Sequence, residues 1–381
     1  MSSSFGKKPA GLRLERMQSS ERYSDGVFRN TQPISQGLRR GTGWSTVRQF
    51  MFGGQKRRPP GPLPSRSPLE SWLRPPETGL RATWLGHSTV LLEIDGARVL
   101  TDPVWGERAS PFGFAGPQRF QPVPVAISEL PALDAVVISH DHYDHLDHTA
   151  IRQLIKLDVP FYTSLGVGAH LEAWGVPHER IIELDWWESA RLPNHELVIT
   201  FAPSQHFSGR GVSSRNSTLW SSIALCGPRH RVFFSGDTGL TDEYTQIKER
   251  LGPFDLVLLE VGAFHPAWGD IHLGPENALT ALGLLGGGAL LPVHWGTFNL
   301  AIHAWDEPAE TLLSLAPGFG ASLIMPRLGV AAEPSRLAMP ADLIEPWWRE
   351  LALPVPKRLA APASSDPDTN ATELPLTEPI D

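Results

Sequence analysis

Three histidines and two aspartates follow a short apolar stretch near the middle of the chain. Residues 135–138 are continuous Ala, Val and Ile, a pattern typical of a strand buried on both faces. In the extended segment that follows, residues i and i+2 point the same way, so His140 and His142 can bind one ion together. Asp144 and His145 then turn toward a second position. Imidazole and carboxylate suit zinc, so the segment predicts a metal site.

Three later apolar stretches also end close to a residue that can bind a metal: 198–202 before His206, 231–236 before Asp237, and 289–293 before His294. Proteins with α/β folds place their sites where strand ends converge. Taken singly, each stretch is a weak signal, because Gly-Asp-Thr-Gly around Asp237 would also suit a simple turn. We therefore interpret the three together with the histidine segment.

The order of these residues resembles the metal-binding pattern of the metallo-β-lactamase superfamily. The segment from His140 to His145 has that superfamily's His-x-His-x-Asp-His form. The resemblance implies an α/β fold, a four-layer αβ/βα sandwich, with two Zn²⁺ ions per chain. It implies that the first ion is bound by His140, His142 and His206, that the second is bound by Asp144, His145 and His294, and that Asp237 bridges them.

The same resemblance gives Asp102 a supporting role. Superfamily members place an aspartate at this position, where it orients the histidine ligands from behind. The alternative is a turn aspartate that ends a strand before Pro103.

A two-zinc site predicts hydrolysis. Two zinc ions activate a water molecule that attacks carbonyl carbon or phosphorus. No serine or cysteine is needed as a nucleophile, and Ser139 and Ser204 fit better as turn residues. We take Asp144 and Asp237 as catalytic, but the site alone does not choose between lactam, lactone and phosphodiester.

Longer matches around the ligands are similar to the N-acylphosphatidylethanolamine-hydrolysing phospholipase D family. They run in order from about residue 80 to 307, and the segments concerned are 83–89, 100–103, 116–120, 127–131, 183–188, 203–206, 236–239, 252–256 and 294–298. The resemblance implies attack of water on the phosphodiester of an N-acylated phosphatidylethanolamine, which releases phosphatidic acid and an N-acylethanolamine. It also makes a homodimer possible.

His272 matches a histidine of that family within a motif of the Gln-His-Val-Asp-Pro type. Here residues 271–275 read Ile-His-Leu-Gly-Pro, so the Gln and Asp are absent. The resemblance implies that His272 contacts phosphate or donates a proton to the leaving oxygen. The alternative is a surface histidine at a helix start. His265 has an acidic counterpart in the family and is not expected to be catalytic.

An amphipathic, basic segment precedes the predicted domain. Trp44, Val47 and Met51 lie at helical spacing, with Phe50 and Phe52 beside them. The flanking basic residues are Arg39, Arg40, Arg48, Lys56, Arg57 and Arg58. The segment predicts a helix that docks on the domain or contacts a membrane, and both can hold together.

Charge and composition restrict the function classes. The first 80 residues carry 14 Lys/Arg and 5 Asp/Glu, although the whole chain has a net charge of -8. The acidic body argues against a nucleic-acid partner, which needs a basic track. Cys226 is the only cysteine, so no intramolecular disulfide can form. Without a signal peptide or a long apolar span, we expect a cytoplasmic protein, peripheral on a membrane.

We divide the chain into three parts. Residues 1–79 form a basic, Pro-rich arm, 80–335 form the hydrolase domain, and 336–381 form a Pro/Ala-rich, acidic extension that is disordered from about 359. Within the domain we expect a hairpin around Asp95-Gly96, a helix from about Asp147 to Leu157 and another over 275–285. Strands are expected at 161–164, 181–184 and 255–261.

These observations predict a zinc-dependent phosphodiesterase of the phospholipase D type that acts on a phospholipid. The alternative is a lactonase or small-molecule phosphodiesterase of the same superfamily, which would not need the apolar, basic segment. A scaffold without catalysis is disfavoured because all seven ligands are present.

Overall fold

The N-terminal arm lies on the body of the protein. The structure, a computed structural model, describes residues 4–34, 41–54, 56–211 and 214–350. The arm contains helix α1 (Leu12–Gln18), strands β1 (Tyr23–Ser24) and β2 (Val27–Phe28), and helix α2 (Gly43–Phe52). Met17 and Phe28 are buried in one apolar cluster with Trp186 and Trp220. The described part of residues 4–34 is therefore an arm that packs on the body.

The first half of the body forms one side of the sandwich. Its strands and helices, in chain order, are β3 (Leu80–Gly86), β4 (Thr89–Ile94), β5 (Ala97–Thr101), β6 (Ala135–Ile138), α3 (His148–Leu154), β7 (Phe161–Ser164), α4 (Gly168–Ala173) and β8 (Ile181–Leu184). Strands β3 to β5 are antiparallel, whereas β5 to β8 are parallel. Asp95 and Gly96 both have positive φ, as the predicted tight turn requires.

The second half forms the other side. It contains β9 (Ser189–Arg191), β10 (Val198–Ala202), β11 (Ser222–Cys226), β12 (Arg231–Phe234), α5 (Glu243–Leu251), β13 (Leu256–Glu260), α6 (Gly274–Leu284), β14 (Ala289–Val293), α7 (Glu307–Phe319) and β15 (Ser322–Leu323). Strands β12 to β15 run parallel, so their carboxyl ends meet at one edge. The chain then adds β16 (Ala331–Ala332) beside β3, helix α8 (Pro334–Leu337), and β17 (Met339–Pro340) beside β15.

Alternation along the strands produces the four layers. In β6, Ala135 and Val137 face the core between the two sheets, and Val136 and Ile138 face the core under α3 and α4. The continuous apolar run of this strand is therefore explained by burial on both faces. Helices α5, α6 and α7 pack with the second sheet through buried residues such as Ile247, Leu279 and Leu312. The predicted α/β sandwich is confirmed.

The folded body continues past the boundary predicted at residue 335. Strand β17 belongs to the second sheet, and the buried side chains of Trp347 and Trp348 pack on Trp295 with ring centroids 6.0 and 5.5 Å away. Among the described residues, the folded body therefore reaches at least Trp348, past the predicted boundary. The disorder predicted from about 359 falls outside the described residues. Among the described helices, none has both the length and the hydrophobicity to cross a bilayer.

Candidate metal centre

The seven predicted ligands come together at the edge of the sandwich where parallel strands end. The segment from His140 to His145 follows β6, and the others lie a few residues beyond their strands: His206 beyond β10, Asp237 beyond β12 and His294 directly after β14. Both sheets therefore contribute. The assignment of each ligand to an ion stays a prediction, but the structure brings all seven side chains into two adjoining groups.

The first group consists of His140, His142, His206 and Asp237. Their candidate ligand atoms all lie within 4.8 Å of one another. Nδ1 of His142 lies 2.8 Å from Nε2 of His140 and 3.3 Å from Nε2 of His206. Three imidazole nitrogens and a carboxylate in that volume suit a tetrahedral metal site.

The second group consists of His87, Asp144, His145 and His294, again with candidate atoms within 4.8 Å. Oδ2 of Asp144 lies 3.0, 3.6 and 3.4 Å from Nε2 of the three histidines, in that order. In the sequence, His87 lies within the matched segment 83–89 and is not among the predicted ligands. Its position after Gly86, at the end of β3, is the signal that would have suggested a role.

The carboxylate of Asp237 faces both groups. Its Oδ1 lies 3.1 Å from Nε2 of both His145 and His294. Its Oδ2 lies 3.6 Å from Nε2 of His206 and 3.8 Å from Nε2 of His140. One oxygen thus points to each group, which is the arrangement that a bridging carboxylate requires.

Several buried polar atoms of this cluster form no hydrogen bond with any described residue. They are Nδ1 of His87, Nε2 of His145, Oδ1 of Asp237 and both ring nitrogens of His294. Leaving such groups unsatisfied costs about 1–3 kcal/mol each. Imidazole nitrogens and carboxylate oxygens that converge without hydrogen bonds are what a pair of divalent metal ions would satisfy, so the residues present fit the metals that the pattern implies.

The protonation states of the first group and of His87 suit metal binding directly. Burial disfavours the imidazolium form and holds the pKa of His140 and of His206 well below the ordinary range. Burial, with His294 nearby, lowers the pKa of His87 to about 3. Burial alone would raise the pKa of Asp237, but His145 and His294 hold it well below its usual value. Neutral imidazoles and an ionised carboxylate are the forms that bind metals.

Burial alone would lower the pKa of His145 and His294, but the Asp237 carboxylate raises both, that of His294 to about 10. These two rings would therefore release a proton when a metal binds.

Asp102 lies behind the predicted ligands. It is fully buried, and its Oδ2 accepts a hydrogen bond from Nδ1 of His145 at 2.7 Å. The backbone N–H and the hydroxyl of Ser139 donate to its two oxygens at 2.7 and 2.6 Å. A bond to Nδ1 fixes the ring and leaves Nε2 facing the site.

His272 lies next to both groups. Its ring centroid is 5.1 Å from that of His206 and 5.4 Å from that of His294, and 13% of its side chain is exposed. Its Nδ1 donates to Oε2 of Glu260 at 2.6 Å. Burial alone would lower the pKa of His272, but the Glu260 carboxylate raises it. The imidazolium form is therefore favoured, as a proton donor requires.

Glu260 is a site residue that the sequence did not reveal. It ends the apolar strand β13 and is completely buried. The backbone N–H groups of Thr238 and Leu273 donate to its Oε1 at 2.7 and 3.3 Å. A carboxylate at the end of an otherwise apolar strand was the available signal.

Three residues of the site have left-handed backbone conformations that are rare outside glycine: His87 (φ 52°), Asp102 (φ 31°) and His294 (φ 65°). Such conformations cost on the order of 1–3 kcal/mol each and concentrate at functional sites. The surrounding bonds hold them, because His294 N–H donates to the carbonyl of His87 at 3.0 Å and His87 N–H donates to Oγ1 of Thr297 at 2.7 Å.

The residues predicted to contact lipid lie on α2. Trp44, Val47 and Phe52 are 82%, 51% and 79% exposed. The side chains of Phe50 and Met51, and the basic residues Arg39 and Arg40, lie outside the described part of the structure. Helix α2 is joined to the body through Gln49, whose Oε1 accepts from Nε2 of His265 at 3.0 Å. His265 therefore has a structural contact, on the same loop as His272.

Comparison with known proteins gives one matching family model and three similar proteins. A model of the beta-lactamase superfamily domain matches residues 97–295. An uncharacterised protein of Mycobacterium tuberculosis is 48% identical over 91% of each chain. The N-acyl-phosphatidylethanolamine-hydrolyzing phospholipase D 1 of Caenorhabditis elegans is 39% identical, over 63% of this chain and 70% of its own. The isothiocyanate hydrolase from Delia radicum gut bacteria shares the fold, with a TM-score of 0.53 and 23% identity over 66% of this chain and 98% of the other.

Proposed function

The chain belongs to the beta-lactamase superfamily, within the family of the N-acylphosphatidylethanolamine-hydrolysing phospholipases D, and we propose that this metal-dependent hydrolase cleaves the phosphodiester bond of an N-acylphosphatidylethanolamine. Water is consumed, and the products are phosphatidic acid and an N-acylethanolamine. The observation that carries the proposal is the buried double group of histidines and aspartates with His272 beside it, in a chain 39% identical to a named phospholipase D.

The proposed cofactor is two Zn²⁺ ions per chain. His140, His142 and His206 would hold one, Asp144, His145 and His294 the other, and Asp237 would bridge them. Bound there, the ions would supply the Lewis acidity that activates water and withdraws charge from a phosphodiester. His87 contacts Asp144 at 3.0 Å and either orients it or adds a ligand to the second group.

His272 supplies the proton for the leaving oxygen in this proposal. Its Nδ1–H is engaged by Glu260, so Nε2 is the nitrogen that can deliver a proton. When the bond between phosphorus and the ethanolamine oxygen breaks, that oxygen takes the proton from His272. The oxygen of the attacking water stays on phosphorus, in phosphatidic acid.

Asp144 is the carboxylate best placed to take the proton of the attacking water. Its side chain is 14% exposed, whereas that of Asp237 is 3% exposed. Burial alone would raise the pKa of Asp144, but neighbouring His145, with His294 and His87 close by, holds it well below its usual value, so the ionised form is favoured. A group that is ionised and reachable by water can act as a base.

Helix α2 would bring the site to its substrate. Its exposed Trp44, Val47 and Phe52 form an apolar surface, and exposed Arg48 and Lys56 add positive charge beside it. Apolar and basic side chains together favour an interface with anionic lipid. Because Gln49 contacts the loop that carries His272, a membrane bound at α2 would place phospholipid head groups close to the site. We therefore propose a peripheral membrane enzyme.

Product analysis tests the proposal. The zinc-loaded protein is incubated in H₂¹⁸O with phosphatidylcholine vesicles that contain N-acylphosphatidylethanolamine, and the products are identified by mass spectrometry. We expect N-acylethanolamine without label and phosphatidic acid with one ¹⁸O, because water attacks phosphorus. A protein in which Asp237→Asn has been introduced serves as the control and should give neither product.

Other outcomes would change the assignment. Label in the N-acylethanolamine would mean attack at carbon and would contradict the proposed reaction. No lipid product from a protein that binds two metals and cleaves a water-soluble diester or a lactone would favour the alternative, a lactonase or small-molecule phosphodiesterase.

A further inference from the structure

The N-terminal strap, residues 4–31, reaches the part of the metal centre that contains His206. The side-chain amide of Asn30 pairs with both backbone groups of this histidine, which lies 176 residues later in the chain. Nδ2 of Asn30 donates to the carbonyl of His206 at 2.8 Å, and Oδ1 accepts from its N–H at 3.1 Å. An amide group that uses a donor and an acceptor on one residue fixes both the position and the orientation of that residue.

Asn30 is itself held by buried groups. Its Oδ1 also accepts from Nε1 of Trp220 at 3.2 Å, and Trp220 is completely buried. Two residues earlier, Phe28 is completely buried and its N–H donates to the carbonyl of Asn216 at 2.8 Å. These contacts therefore hold the Asn30 amide in place beside His206.

The other end of His206 is fixed from the body. Its Nδ1 donates to the carbonyl of Ile271 at 2.8 Å, which leaves Nε2 unprotonated toward the first group. There Nε2 lies 3.3 Å from Nδ1 of His142 and 3.6 Å from Oδ2 of Asp237. With the ring held at Nδ1 and the backbone held by Asn30, Nε2 has a defined position.

A second contact ties the strap to the loop that carries His140 and His142. The guanidinium of Arg210, which is 3% exposed, donates from Nη2 to the carbonyl of Ser4 at 2.8 Å. Its Nη1 donates to the carbonyls of Asp141 and Leu146 at 2.6 and 2.9 Å. The strap therefore supports the first group at two places, and it lies outside the region 97–295 that the family model matches.

We propose that the N-terminal strap is a working part of the metal centre, and that Asn30 is a positioning residue for the ligand His206. The inference rests on the proposed two-metal site but not on the proposed lipid substrate. Residues that orient a ligand typically change metal affinity by 10- to 100-fold. Because Asn30 acts on the backbone of His206, we expect about a tenfold loss at one of the two sites.

Metal affinity measured without substrate tests the inference. The two zinc dissociation constants are determined by competition with a chromophoric chelator for wild type, Asn30→Ala, His206→Ala and the double variant. Thr31→Ala is the matched control, because Thr31 is the next residue of the strap and its hydroxyl donates to Glu243, outside the metal centre. We expect Asn30→Ala to raise one dissociation constant about tenfold and Thr31→Ala to change neither.

The double variant separates positioning from general loss of structure. If Asn30 acts through His206, Asn30→Ala has no further effect on metal affinity once His206 is replaced. An equal loss in both backgrounds, or unchanged dissociation constants in Asn30→Ala, would overturn the inference. If Asn30→Ala does not fold, Asn30→Asp, which keeps the acceptor but loses the donor, takes its place in the same cycle. A wild type that binds fewer than two ions would instead count against the proposed two-metal site.

Discussion

The metal centre and helix α2 hold their key side chains in opposite ways. His145 and His294 are 0% and 2% exposed, and hydrogen bonds or packing fix each ring. Trp44 and Phe52 of α2 are 82% and 79% exposed, so most of each side chain faces solvent. Yet the two regions adjoin through the contact between Gln49 and His265.

This difference predicts separate roles for the two regions: catalysis at the metal centre and attachment to a membrane at helix α2. A buried, preorganised cluster acts in the same way on any diester that reaches it. An exposed apolar helix contributes only where an apolar surface is present to cover it. Changes in the centre should therefore affect every substrate, whereas changes in α2 should affect only substrates in a membrane.

The largest effect is expected for Asp237→Asn. The amide cannot place an anionic oxygen toward each group, so we expect metal content to fall and turnover of every diester to drop to background. Metal per chain is measured by mass spectrometry, and kcat on a water-soluble diester is measured in parallel. Asp342→Asn, at an exposed position, is the control. A variant that kept both metals and its turnover would contradict the bridging role.

Replacement of His272 should lower the activity on an alkyl diester much more than the activity on a p-nitrophenyl diester. A proton donor matters for an alkoxide leaving group but little for p-nitrophenolate, which leaves without protonation. We expect His272→Ala to lower kcat/KM by about 100- to 1,000-fold on an alkyl diester and much less on a p-nitrophenyl diester. Equal losses would show a merely structural role. His265→Asn, on the same loop, should leave the ratio of the two rates unchanged.

Glu260→Gln should change the pH dependence. The Glu260 carboxylate raises the pKa of His272, and a donor must be protonated, so activity on an alkyl diester falls as pH rises through that pKa. Without the charge the pKa of His272 falls, and the basic limb of the kcat/KM profile should move to lower pH. Glu243→Gln, another buried carboxylate, is the matched control. If the basic limb of the profile did not move, the proposed effect of Glu260 on His272 would be wrong.

The smallest effect is expected for a substitution in α2, and it should be confined to membrane binding. Trp44→Ala removes a large exposed apolar side chain, and we expect about tenfold weaker binding to anionic vesicles, measured by cosedimentation. Cleavage of a water-soluble diester should not change. Leu343→Ala, at a comparably exposed apolar position, is the control. If Trp44→Ala weakened vesicle binding and soluble-diester cleavage equally, α2 would have no role specific to the membrane.

Local patterns made much of the fold predictable. The strands at 161–164 and 181–184 begin and end as predicted, and the hairpin turns at Asp95-Gly96. Helix α3 starts after Asp147, whose side chain caps it. Trp347 and Trp348 were not predicted to belong to the body, because their burial depends on Trp295, far away in the chain, and a sequence does not show such packing.

The same distinction applies to the site. The ligands from His140 to His145 form a contiguous pattern that can be recognised in the sequence. Glu260 was hidden because its carboxylate looks like part of a strand until His272 is placed beside it. Asn30 carries no motif at all, and only the folded chain brings its amide to His206.

The candidate ligands come from both halves of the sandwich. The His140 to His145 segment follows a strand of the first sheet, and His206, Asp237 and His294 lie beyond strands of the second. Ions bound there would act as cross-links that close long loops, much as a disulfide would, in a chain whose single cysteine cannot form one internally. Thermal stability should then rise with the logarithm of free metal concentration. In a metal-starved cell, this protein would be lost to unfolding and proteolysis, so its abundance as well as its activity would report the supply of its metal.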